Sequence, residues 1–196
     1  MASCKGKPVA LCYNGSRHMD AYLDIETTGL APEDSQITVI GIHLVNGDSQ
    51  SFIQLVGEDV TSDKLLAALD GVSMIHTYNG SRFDLPFIRA CLGIDLERLF
   101  AHYDLMYHCW RCRLFGGLKR VEQMLGIPRK LKDLNGLDAV RLWWRYVNDY
   151  DEQALHILLE YNREDVVNLK VLKELLAMRT DGATSPAGGP YKMPGR

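Results

Sequence analysis

The chain has 196 residues, 46% of them hydrophobic, which suits one globular domain with a sizeable core and leaves little room for a second. A formal net charge of −3 argues against a protein that grips nucleic acid by bulk electrostatics, because such domains are usually basic. No apolar run reaches the length of a membrane span, the first seven residues lack the apolar block of a signal peptide, and Cys4, Cys12, Cys91, Cys109 and Cys112 are an odd set that does not read as a disulfide framework. The expectation is a cytoplasmic protein with free thiols.

Residues 1–19 are polar and mixed, and only residues 9–13 resemble a short strand. The domain is expected over residues 20–178. It opens on Ala21-Tyr22-Leu23-Asp24-Ile25-Glu26-Thr27-Thr28-Gly29-Leu30, a buried strand in which alternation puts Asp24 and Glu26 on one face and Leu23 and Ile25 on the other. Two carboxylates that close raise each other's pKa and repel unless a cation lies between them, and a divalent metal is the usual answer. The plain alternative is an exposed pair of acids on an edge strand. Runs at 37–45 and 51–56 flank Asn46-Gly47, a hairpin signal that makes a three-stranded antiparallel meander.

Thr61 or Ser62 can cap a short helix through Leu65, Leu66 and Leu69, followed by a parallel strand at 72–78. The turn 79–84 then leads into a helix from about residue 85 to 92, with Asp84 at its mouth and Pro86 in its first turn. Tyr103-Asp104-Leu105 is a last short strand, and helices follow over 106–114, 118–125, 137–148 and 151–178. This order describes an α/β domain around a central mixed sheet of five strands, flanked by helices. Residues 179–196 are Gly/Pro-rich and aperiodic, and read as a disordered tail.

Within the last helical region Tyr161 and Asp165 are four residues apart, which places phenol and carboxylate on one face a turn apart. Leu158, Leu159, Val166, Leu169, Leu172 and Leu176 anchor that element. Glu164 is expected to face elsewhere, toward solvent.

Residues 24–30, 78–87 and 161–165 resemble, in order, the three motifs of the DEDD 3′–5′ exonuclease superfamily, a ribonuclease H-like fold; the tyrosine in the third marks its DEDDy branch. Residues 117–129 look like the YprB-type ribonuclease H-like exonuclease family. The resemblance implies that Asp24, Glu26, Asp84 and Asp165 bind two Mg²⁺ or Mn²⁺ ions, hard cations that favour oxygen ligands. Such a pair, about 4 Å apart, brackets a scissile phosphate, activating water on one side and steadying the leaving 3′-oxygen on the other. Tyr161, whose reference pKa is about 10, is assigned to orienting the attacking water. The implied reaction is hydrolysis from the 3′ end of single-stranded DNA or RNA, releasing nucleoside 5′-monophosphates. A silent nucleic-acid-binding or protein-interaction domain of the same fold is the competing class, and a structural metal protein a third.

The same resemblance makes Thr27, Thr28 and Leu30 a grip on the 3′ end, with Leu30 wedged against the terminal base; ordinary packing is its alternative. Asn79 and Phe83 are candidates for the same groove, against turn chemistry for Asn79 and core packing for Phe83. Between residues 111 and 132, Arg111, Arg113, Lys119, Arg120, Arg129, Lys130 and Lys132 oppose only Glu122, so Lys119 and Arg120 head a phosphate-tracking surface, or else a solvated helical face. Cys109 and Cys112 have no second ligand pair at zinc spacing, so no zinc is expected. Trp143, Trp144 and Tyr146 read as core and rim, and His76 and His156 as satisfied or surface histidines.

Overall fold

Strand β1 (Met19–Thr27) buries both of its faces, and its alternation decides what each face holds. Leu23 and Ile25 enter one hydrophobic core with Leu65, Phe87 and Ile88. Tyr22, on the opposite face, enters another with Leu169, Leu172 and Leu176. The structure of the protein is a computed structural model that describes residues 19–181; the strand expected at 9–13 and the tail beyond 181 lie outside the described residues.

Strands β2 (Ile37–Asn46) and β3 (Ser49–Val56) form the expected hairpin. Asn46 pairs with Ser49, and Gly47 has a φ of +60°, a left-handed value that costs glycine little. Beyond a turn of 3₁₀ helix, α1 (Ser62–Ala68) begins at Thr61, whose side chain accepts the Lys64 N–H. Strand β4 (Val72–Thr77) and helix α2 (Asp84–Leu92) follow, then a short α3 (Leu96–Leu99), β5 (Ala101–Asp104) and α4 (Leu105–Arg111). Helices α5 (Leu118–Leu125), α6 (Gly136–Asp149) and α7 (Glu152–Asp181) complete the described chain.

The sheet order is β3-β2-β1-β4-β5. Neighbours β1, β2 and β3 are antiparallel, whereas β4 runs parallel to β1 and β5 parallel to β4. This is the expected mixed five-stranded sheet flanked by helices, with helix α7 against β1 and β2.

Several boundaries depart from expectation. Helix α4 stops at Arg111, not at residue 114, because Arg113 adopts a φ of +59°. Helix α3 has only four residues, too few for periodicity to reveal. Helix α7 runs unbroken to Asp181, three residues past the expected end. Glu164 is corrected outright: its carboxylate accepts the Lys130 N–H at 2.7 Å and the Leu131 N–H at 3.0 Å, and its side chain is 12% exposed. It faces the 126–135 connection, not solvent.

Candidate active site

The acids meet where the C-terminal end of β1, the N-terminus of α2 and the middle of α7 converge. Asp24 and Glu26 share the α7 face of β1, as alternation requires. One carboxylate oxygen from each of Asp24, Glu26 and Asp165 lies within 4.8 Å of the others. Asp84 stands at the first turn of α2 and lines the same cleft, but its Oδ1 is taken by the Ile25 N–H at 3.1 Å. That bond ties the second acidic element to the strand bearing the first two.

Electrostatically the cluster is unbalanced. Burial, then Asp165, Asp84 and Glu26, push the Asp24 carboxyl well up; burial, then Asp165 and Asp84, do the same for Glu26. Burial raises Asp84 to about 7. Asp165 is also raised by burial, but Arg129 opposes the shift and leaves it at about 6. Glu26 Oε1 is buried with no hydrogen-bond partner, an arrangement that is expensive unless a ligand satisfies it. Hard oxygen donors, crowding and an orphaned oxygen together fit a bound Mg²⁺ or Mn²⁺. Asp24, Glu26 and Asp165 would hold it, with Asp84 beside them.

Tyr161, one helical turn before Asp165, is 6% exposed and lines the cleft. Burial and then Asp165, Glu26 and Asp24 push its phenol far above the ordinary value. A phenol so placed keeps its proton and can donate a hydrogen bond into the cleft. Lys119 Nζ lies over its ring, 4.3 Å from the centroid, and is buried without a hydrogen-bond partner.

The cleft encloses about 500 Å³ and is also lined by Thr27, Leu30, Asn79, Phe83 and, from α6, Leu137 and Val140. Leu30 is 85% exposed, so packing does not account for it. Thr27 is buried, its hydroxyl donating to the Gly29 carbonyl at 2.6 Å. Thr28 stands apart from the cleft lining: its Oγ1 accepts the Gln36 N–H and closes the 28–36 loop. Asn79 combines both expectations, lining the cleft while adopting a left-handed φ of +65°. Phe83 likewise contributes to the cleft and packs against Phe87, 5.3 Å between ring centroids. An adjoining cleft of about 420 Å³ is shared by Tyr161, Asp165, Lys119 and Arg120, and a third of about 760 Å³ carries Lys119, Arg120, Arg129 and Lys132 onward.

The basic segment is not a single solvated face. Arg129 is 4% exposed and pairs with Glu122 and Asp165, whereas Arg120 is exposed. Cys109 packs with Val121 and Leu169 in the second core, and buried His76 sits between Lys173 Nζ at 3.0 Å and Asp20 Oδ2 at 3.2 Å.

Sequence reasoning missed three supporting residues. Asp104 caps α4 and accepts the N–H groups of Asn79 and Ser81, fixing the turn that delivers Asp84. Asn162, fully buried, donates from Nδ2 to the Asp24 carbonyl at 3.4 Å and to Asp24 Oδ2 at 3.3 Å, and its Oδ1 accepts from Gln54. Its place beside Tyr161 in the third motif was the available signal. Glu122 had only its position as a lone acid among cations.

A mixed sheet covered by helices, with an acidic cleft at the end of its central strand, defines a ribonuclease H-like domain. The chain belongs to the RNase H superfamily: the family model described as RNase_H superfamily matches residues 21–177. It is 28% identical over 166 residues to the uncharacterized protein YprB of Bacillus subtilis, covering 76% of this chain and 39% of that one. The chain thus spans about two fifths of the length of that curated relative. In fold it is similar to Brucella melitensis NrnC bound to pGG, with a TM-score of 0.57, 22% identity, and 87% of this chain and 78% of that one covered. It is also similar to the family B DNA polymerase of Pyrobaculum calidifontis, with a TM-score of 0.61, 18% identity, and 82% of this chain against 24% of that one covered. Among the described residues, no helix is long and apolar enough to cross a membrane.

Proposed function

We propose that the protein is a metal-dependent 3′–5′ exonuclease of the DEDDy type, acting on single-stranded DNA or RNA and releasing nucleoside 5′-monophosphates. The observation that carries this reading is the meeting of Asp24, Glu26 and Asp165 within 4.8 Å in a cleft that Tyr161 and Asp84 complete. Two Mg²⁺ or Mn²⁺ ions would supply charge neutralisation at the scissile phosphate and a lowered pKa for the attacking water.

The chain's own residues supply position and exclusion. Tyr161, held protonated, donates its phenolic hydrogen bond and so orients the water toward phosphorus. Leu30, with Leu137 and Phe83 around it, offers apolar surface to the terminal base, and Thr27 lines the cleft beside it. Lys119 and Arg120 line an adjoining cleft that Asp24, Tyr161 and Asp165 also line, and take the phosphates next to the scissile one. The pGG seen with NrnC is a suitable minimal probe. Incubating a single-stranded oligonucleotide with the protein and Mn²⁺, and resolving the products by mass spectrometry, is expected to yield mononucleotides carrying a 5′ phosphate. Internal fragments in their place, or intact oligonucleotide, would refute the reading.

A further inference from the structure

Arg129 lies in the connection between α5 and α6, in a segment whose other cations face outward, yet its side chain is 4% exposed. Its Nη1 donates to Glu122 Oε1 and Oε2 at 3.1 and 2.9 Å, and stands 2.5 Å from Asp165 Oδ1. Glu122, 1% exposed, is gripped from its other side by Asn168 Nδ2 at 2.8 Å. Burial works to lower the guanidinium's pKa, but Asp165 and Glu122 outweigh it and hold the charge in place.

This cluster is an expensive way to fasten a loop. Buried ion pairs seldom gain net stability over apolar packing, because desolvation offsets their attraction. The loop is already stapled to α7 by Glu164, which accepts two successive backbone N–H groups. Arg129 Nε and Nη2 are moreover buried without hydrogen-bond partners, a further cost for a structural clamp. What the arginine adds is an ion pair with the Asp165 carboxylate, beside the Tyr161 ring 5.5 Å from its Cζ.

We propose that Arg129, aimed by Glu122, is a positioning residue that holds Asp165 through Oδ1 and so directs this carboxylate toward the cation site it forms with Asp24 and Glu26. The inference rests on the metal-binding part of the function proposed above. Outer partners of metal ligands fix ligand orientation, and their loss typically costs about 10–100-fold in metal affinity or activity. Glu122 also offsets the arginine's charge, so that Asp165 gains an orienting ion-pair partner whose charge is countered beside the cation site.

Calorimetric titration of Mn²⁺ into the full chain tests this without reference to catalysis. In the charge-balanced double variant E122Q/R129Q, with folding checked by circular dichroism, the Mn²⁺ dissociation constant is expected to rise about tenfold or more. In Arg129→Lys, which keeps the cation but not the planar fork that can serve two carboxylates, a smaller rise of about threefold or more is expected. In both, kcat on an oligonucleotide at saturating Mn²⁺ should fall while KM stays within about twofold, a split that simple loosening of the fold would not give. Wild-type Mn²⁺ affinity in the folded double variant overturns the inference; if that variant does not fold, wild-type affinity in Arg129→Lys does so. Mn²⁺ binding by the wild-type chain without cleavage would refute the exonuclease reading and leave the positioning role standing, whereas no Mn²⁺ binding refutes both.

Discussion

Asp84 retains its proton to about pH 7 because burial disfavours its charge, against an ordinary value of 3.8; Asp24 and Glu26 are raised in the same direction by burial and by their acidic neighbours. A carboxyl whose pKa is higher in the folded than in the unfolded chain binds more protons when folded, so its contribution to stability is full below the unfolded value and lost as pH rises through the folded one. The metal-free protein is therefore expected to lose melting temperature between about pH 4 and pH 7. Mn²⁺ binds the ionised acids and should stabilise more as pH rises, flattening or reversing that slope. Thermal melts across this range with EDTA or Mn²⁺ check the prediction; parallel curves would contradict it. Each of Asp24→Asn, Glu26→Gln and Asp165→Asn is expected to reduce kcat by more than the roughly 10–100-fold typical of an outer-shell change; Asp24→Asn and Glu26→Gln should do so without loss of metal-free stability, since each removes repulsion, whereas Asp165→Asn also takes an ion-pair partner from buried Arg129 and should cost stability. That Asp24 and Glu26 share one face, and Tyr161 and Asp165 another, was legible because strand alternation and helical spacing are local rules; joining them into one site rested on the resemblance. The contacts Arg129–Asp165 and Glu164–Lys130 were not: each joins residues more than thirty positions apart, and residue spacing carries no record of such pairing.

At the level of elements, the site depends on how α7 docks on β1 and β2. Gly41, paired with Asp24 across the β1–β2 ladder, leaves room for Asn162; a Cβ there would lie 2.1 Å from Asn162 Oδ1. The absence of a side chain at position 41 thus permits the amide that holds Asp24. Gly41→Ala is expected to destabilise the protein by about 1–3 kcal/mol, the usual range for overpacking a filled core, and to lower activity further by displacing Asn162. Chemical denaturation with a parallel cleavage assay measures both, and full stability with full activity would count against this account. The strands and long helices were readable because alternation, the Asn46-Gly47 turn and apolar spacing agree along this chain. Helix α3 and the early stop of α4 were not, since they depend on a four-residue turn and on a left-handed Arg113.

Over the whole molecule, a chain of net charge −3 would meet a polyanion through the cations that line its clefts, Lys119, Arg120 and Lys132 among them. Of the two clefts lined by Lys119 and Arg120, one shares residues with the acid-lined cleft and the other reaches Lys132, the course along which the proposed function would place the strand's phosphates. K119E/R120E is expected to weaken oligonucleotide binding and to reduce its salt dependence by about 0.7 in log–log slope for each phosphate that is no longer neutralised. Fluorescence anisotropy at several salt concentrations reads this, and an unchanged slope would remove the surface from the account. The α/β class and the mixed five-stranded sheet followed from the succession of elements, whereas the strand order and the separation of buried Arg129 from exposed Arg120 required the fold. The most direct test of the whole is a time course on a 5′-labelled single strand with Mn²⁺, comparing the wild-type chain with Asp24→Asn. A ladder of labelled products shortening one nucleotide at a time in the wild type, and absent in Asp24→Asn, is the predicted result. An unshortened strand, or equal shortening by both proteins, would contradict it.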